Sequence, residues 1–165
     1  MAAAVSFTAL TDAKIKKRFE RLTDFLDAWG DLRASDVGGA RDRRLLEFAL
    51  EAPGEALPVQ VKARYREYYR RGPRGWDIRK YTYEYLDVSR AQRLAYHLHD
   101  FGRRSLVAHA HCESAIDLGD EETSHHLRAT ELDLREAHEE FMSLWASNVP
   151  PDCARFRPLE VERGT

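Results

Sequence analysis

Two His-x-His pairs lie close together in "RLAYHLHDFGRRSLVAHAHCE", residues 93–113, which holds four of the chain's seven histidines. Imidazole is the side chain whose ordinary titration falls near neutral pH, so two held in place can serve as base and acid. Neutral imidazoles also ligate transition metals. Both uses require His97, His99, His109 and His111 to converge. Side chains alternate across a strand, so each pair shares one face of its own run. In the first run Leu94, Tyr96 and Leu98 take the other face, and in the second Leu106, Ala108, Ala110 and Cys112 do. Burying those apolar residues predicts a hairpin with all four histidines on its outer side, where opposed Cβ atoms stand about 5 Å apart. A slip of one residue would send one pair inside. Three chemistries follow: metal-free acid–base cleavage of a phosphodiester, a divalent transition metal held by His97, His99, His109, His111 and Glu113, or binding of an anion.

The stretch just before it, "VKARYREYYRRGPRGWDIRKY", is basic and aromatic. Lys62, Arg64, Arg66, Arg70, Arg71, Arg74, Arg79 and Lys80 outnumber Glu67 and Asp77, and Tyr65, Tyr68, Tyr69, Trp76 and Tyr81 interleave with them. Guanidinium groups grip phosphates and aromatic faces stack on unpaired bases, so these cations together with Tyr81 form a candidate nucleic-acid surface. Net charge is only −2, so this bias is local rather than global. The same cations would suit an acidic protein partner, or would simply keep an edge hairpin soluble.

These residues need a scaffold. "TDAKIKKRFERLTDFLDAWG" repeats apolar residues at Ile15, Phe19, Leu22, Leu26 and Trp29, a helical stripe with Thr11 or Asp12 at its start and Gly30 at its end. "RASDVGGARD" reads as a loop, and "DRRLLEFALEA" as a second helix stopped by Pro53-Gly54. From residue 56 the chain alternates, and the turns "RRGPRG", "DVSRAQ" and "DFGRRS" join four runs into an antiparallel meander. "HHLRATEL" offers a fifth strand. "DLREAHEEFMSLWAS" is a helix with a capping box at Asp133 and Glu136 and a stripe of Leu134, Ala137, Phe141, Leu144 and Trp145. His125, His126 and His138 read as solvated or capping residues. The expectation is a single α+β domain over residues 1–165. Its parts are a helical N-terminal part (1–52), an antiparallel sheet of four to five strands (56–132), a C-terminal helix packed on one sheet face (133–147) and a tail (148–165).

The 165 residues suffice for a proper core, and 43% apolar with 33% charged residues reads as globular. Two cysteines are too few for a disulfide framework, and neither a leader nor a spanning apolar run is evident, so a cytoplasmic protein without membrane partner is expected. No Gly-rich phosphate loop, nucleophile elbow or Cys-x-x-Cys pair occurs. Arg104 and His109 have the Arg-x4-His spacing of HEPN ribonucleases, where the motif is helical, but here it falls in an alternating run.

The order "YTYEYLD", "RLAYHLHDFG", "VAHAHCE", "LDLREAHEEFMSLW" resembles the small domain of TumE-type bacterial toxins over roughly residues 76–146. Tyr81, Tyr83, Tyr85, Asp100, His109 and His111 carry the likeness, and "HLHD" stands where that pattern has an arginine–aspartate pair. The resemblance implies a toxin–antitoxin or antiviral defence protein acting on RNA or nucleotides, with a neutralising partner. The combined expectation is a nucleic-acid-directed protein of this type, with RNA as partner. It would be a metal-independent ribonuclease using His109 and His111 assisted by His97 and His99. The alternatives are a metal-dependent activity at the same cluster, or a non-catalytic binding module or complex subunit.

Overall fold

A computed structural model describes residues 8–38, 42–51, 61–87, 92–100, 106–114, 125–126 and 132–146; for residues 92, 106–114, 125–126 and 144–146 it describes the backbone only. Helix α1 (Asp12–Asp27) is followed by β1 (Asp31–Gly38), β2 (Arg43–Glu51), β3 (Val61–Gly72), β4 (Gly75–Asp87), β5 (Gln92–Asp100), β6 (Leu106–Ser114), β7 (His125–His126) and α2 (Leu134–Ala146). The seven strands form one antiparallel sheet in chain order, a meander, so the fold is α+β.

Two N-terminal expectations are corrected. "DRRLLEFALEA" is not a helix but strand β2, and "RASDVGGARD" is largely strand β1 rather than loop. Leu46, Phe48 and Leu50 are fully buried while their neighbours are not, a period of two that a helical reading of the same letters overlooks. Ladders on both sides of β2 then outweigh the helix propensity of Leu, Glu and Ala. Among the described residues the sheet therefore begins at Asp31 rather than at residue 56, and its strands number seven. Within "HHLRATEL" His125 and His126 are strand, while residues 127–131 lie outside the described residues, as does the 148–165 tail.

Both helices cover one face of the sheet. Thr11 caps α1 by accepting from the Lys14 N–H at 3.3 Å, and Ile15, Leu22 and Leu26 are buried. Phe19 stacks on Phe48, with ring centroids 5.5 Å apart. At α2 the expected capping box forms: the Asp133 N–H donates to Glu136 Oε2 at 2.9 Å and the Arg135 N–H to Asp133 Oδ1 at 2.9 Å. Phe141 then stacks on Tyr85 and Tyr96. Neither helix is long and apolar enough to cross a membrane.

Between helices and sheet sits a charge. Glu67 falls on the core face of β3 between Tyr65 and Tyr69 and is completely buried. Its carboxylate accepts from Arg18 Nε at 2.9 Å and Arg18 Nη2 at 2.5 Å, from the Tyr69 hydroxyl at 2.6 Å and from the Tyr83 hydroxyl at 2.8 Å. Burial disfavours the charge on Arg18, but the Glu67 carboxylate outweighs it and raises the guanidinium pKa above its ordinary value. Arg18 also donates to Asp133 at 3.1 Å, which ties α1 to the cap of α2. A second buried polar group, His138, was expected at the surface. It lies instead on the inner stripe of α2, one helical turn from Leu134 and Phe141, packed among Phe25, Trp29 and Tyr65. Its Nδ1 pairs with the Tyr65 hydroxyl at 2.6 Å, and burial pulls its pKa down to about 4.

Two outcomes are expected. Glu67→Gln should lose about 2–4 kcal/mol in urea unfolding, because a largely buried guanidinium loses its nearer counter-charge. The double variant Arg18→Met/Glu67→Leu should recover most of the loss seen in Glu67→Leu; additive losses would show that the pair is not coupled. His138 is held neutral by the fold, so on acidification the unfolded chain takes up the proton first. Stability from this group is full above its ordinary value of 6.5 and declines as pH falls towards about 4. Between pH 7 and 5 it should cost about 2 kcal/mol, and His138→Gln should flatten the unfolding free energy over that interval by this amount.

Candidate nucleic-acid interface on the open sheet face

Positions on the face turned away from the helices fall into cross-strand rows fixed by register. One row runs Ser35, Glu47, Arg66, Thr82, His97, His109; the next runs Arg33, Ala49, Arg64, Glu84, Ala95, His111, His126. Beyond it Asp31, Glu51, Lys62, Leu86, Arg93 and Glu113 align. Leu94, Tyr96 and Leu98 are buried on the opposite face, as the alternation requires. His97 and His109 are direct partners, His99 pairs with Val107 and Ala95 with His111. Positions 97, 99, 109, 111 and 113 thus share the open face, and His126, read from sequence as a bystander, joins it opposite His111.

Among the described side chains the chemistry centres on Glu84. Its Oε1 accepts from Arg93 Nη2 at 2.6 Å and stands 3.8 Å from His97 Nε2. The His97 ring first, and the Arg93 guanidinium with it, hold the Glu84 carboxyl down at about 2, so it is a fixed anion at neutral pH. The His97 and His99 rings meet edge to face at 5.6 Å. Burial, with His97 and Lys80 nearby, pushes the His99 imidazole below its ordinary value and favours the neutral, proton-accepting form. Glu84 and Arg93 were missed in the sequence. Strand parity was the available signal, since Glu84 alternates with the tyrosines of β4 and Arg93 has the parity of His97 and His99.

The basic candidates divide into three groups. Lys62 and Arg64 are exposed on the open face, Arg66 is paired there with Glu47, and the Lys80 ammonium lies 5.4 Å from the Tyr68 ring. Arg79 is the extra residue where the β3–β4 register shifts between Tyr68 and Tyr69, and its Nε donates to Asp100 at 2.8 Å. Arg70 is exposed 3.9 Å from Asp42 and directly opposite Arg43, a like-charge pairing that costs stability. Arg43, Arg70, Arg79 and Tyr68 line a hollow of about 330 Å³. At the β3–β4 tip Arg74 is exposed, while Arg71 bonds Asp12 at 3.1 Å and lies over Trp76, on the side of the helices.

Tyr81 is corrected outright. It is buried in the core, stacked on Tyr83 at 4.3 Å, with its hydroxyl accepting from the Leu132 N–H at 3.0 Å, so it offers no ring to a base. Tyr65, Tyr69 and Trp76 are buried likewise, which leaves Tyr68 as the aromatic of that stretch on the open face. The interleaving that looked like a stacking platform is the alternation of a strand with its tyrosines inside. Comparison of the chain with family models, with curated proteins and with solved structures finds no match.

Proposed function

We propose that the open face binds single-stranded RNA and cleaves its backbone without a metal, as a ribonuclease of toxin or defence type. The observation that carries this reading is the register that sets His97 opposite His109 in a row continuous with Arg66 and beside Arg64. One imidazole takes the proton of the ribose 2′-hydroxyl as its oxygen attacks the adjacent phosphorus. Another delivers a proton to the departing 5′-oxygen, leaving a 2′,3′-cyclic phosphate and a free 5′-hydroxyl. His109 and His111 are the first candidates for these transfers, with His97 and His99 assisting and the Glu84 carboxylate orienting His97. Arg64, Lys62 and the Arg43–Arg70 hollow hold flanking phosphates, since Tyr68 is the aromatic that the β3–β4 stretch leaves on this face for stacking.

A second reading places a divalent transition metal at the same cluster. It draws on the pairing of His111 with His126, which adds a fifth histidine position to His97, His99, His109 and Glu113. Elemental analysis of protein purified without a polyhistidine tag separates the two, with stoichiometric zinc, nickel or manganese favouring the metal. A protein partner that neutralises the activity belongs to the toxin reading and would be sought as a stable co-purifying chain.

His109→Ala should lower cleavage of a single-stranded RNA by at least about a hundredfold, with its circular dichroism unchanged. Arg64→Ala should weaken RNA binding irrespective of sequence and reduce the salt slope by about one. Undiminished cleavage by His109→Ala removes the catalytic reading, while retained salt-dependent binding would leave a binding module.

A further inference from the structure

On the side away from the open face, residues 8–10, α1, the β3–β4 pair and the start of α2 enclose a groove of about 950 Å³. That volume lies within the range of small-molecule sites. The ribonuclease reading makes no use of it, and its chemistry is distinctive. Lys14, Lys17 and Arg21 recur along one stripe of α1 and line one wall, and Arg135 lines the other. The three helix cations are exposed, and none has an acidic partner among the described residues, whereas Lys16 on the neighbouring stripe pairs with Glu20. The groove's carboxylate, Asp133, is already engaged by Arg18 and by the helix cap. Arg18 is itself balanced by Glu67 beneath the floor. Among the described residues the helix cations thus line the groove without a neutralising carboxylate.

Their spread limits the anion. Lys14 and Arg21 stand about 10 Å apart along the helix axis, more than one phosphate group can bridge. The floor is formed by Leu10, Leu22 and Ile78, which suits an apolar body attached to the charged group. Trp76 contributes an edge, since its indole N–H is bonded to Asp12 at 2.7 Å and guanidinium groups lie over its ring. We infer that this groove binds a nucleoside polyphosphate, with the phosphate chain along Lys14, Lys17 and Arg21 and the nucleoside on the aliphatic floor.

Calorimetric titration of the full chain with ATP, GTP and UTP in magnesium-free, low-salt buffer tests the assignment. At least one triphosphate should bind, and its monophosphate should bind at least tenfold more weakly. Lys17→Ala/Arg21→Ala, two exposed positions, should weaken the triphosphate by tenfold or more. His109→Ala and Arg64→Ala should leave it unchanged, which separates this site from the open face. No binding of any triphosphate at millimolar concentration overturns the proposal, as does binding that survives the double substitution or is lost with Arg64→Ala. Pyrophosphate binding as tightly as the triphosphate overturns the nucleoside assignment.

Discussion

The fold turns on one carboxylate in a place that sequence rules reserve for apolar residues. Glu67 sits on the inner face of β3 and is satisfied there by four donors from three elements: two nitrogens of Arg18 on α1, the Tyr69 hydroxyl on β3 and the Tyr83 hydroxyl on β4. A buried ion is tolerable only when its lone pairs are filled, and this one has no slack. Through Arg18 the network reaches Asp133, so the same guanidinium fixes α1 and the first turn of α2 against one face of the sheet. Compared with an apolar pair of similar shape, such a bridge adds little net stability; what it adds is a single way to dock the helices. By settling which face is covered, it settles which face is free.

That division explains the composition of the sheet. The inner face sets tyrosines among its aliphatic residues, with Tyr65, Tyr81 and Tyr83 almost fully buried. Their hydroxyls are not idle: Tyr65 bonds His138, Tyr81 receives the Leu132 N–H and Tyr83 reaches Glu67. Tyrosine gives large apolar area with one polar tip, which suits a core that contains an ion and a neutral imidazole. The outer face keeps its charges in lateral pairs, Arg66 with Glu47 and Arg93 with Glu84, each contributing at most about 1 kcal/mol. Lys62 and Arg64 stand outside that pairing pattern, and Arg43 faces Arg70 directly. The Asp42 carboxylate, 3.9 Å from Arg70, offsets part of that repulsion.

The meander from β3 to β6 was legible because alternation and turn residues agree there: "RRGPRG" closes where expected, and His97 and His99 fall outside because Leu94, Tyr96 and Leu98 fall inside. The capping box of α2 was equally plain, since two side chains three residues apart suffice to form it. β2 was not, because "RRLLEFALE" satisfies both periods over so few residues and only pairing with β1 and β3 decides between them. His138 was misplaced, and the role of Glu67 went unread, for another reason. Each has the position of a core residue and the chemistry of a surface one, and their partners Arg18 and Tyr65 lie 49 and 73 residues away. Tyr81 was assigned by its neighbours' charges when its own parity with Tyr83 and Tyr85 placed it inside.

The parity itself depends on a local irregularity. At the Tyr68/Tyr69 shift, β4 spends one residue more than β3, so Ile78 and Tyr81 both face the core although three positions separate them. Without that extra residue, one of the two flanking sets would be inverted. Either Trp76 and Ile78 would leave the groove lining and the N-terminal bridge to Leu10, or Tyr81, Tyr83 and Tyr85 would turn outward and Thr82 and Glu84 inward. The bulge lets one strand serve both ends of the sheet, and it projects Arg79 to Asp100 at the end of β5. The open face therefore owes its order to two inner constraints, a carboxylate that fixes the helices and a one-residue bulge that keeps Glu84 beside His97.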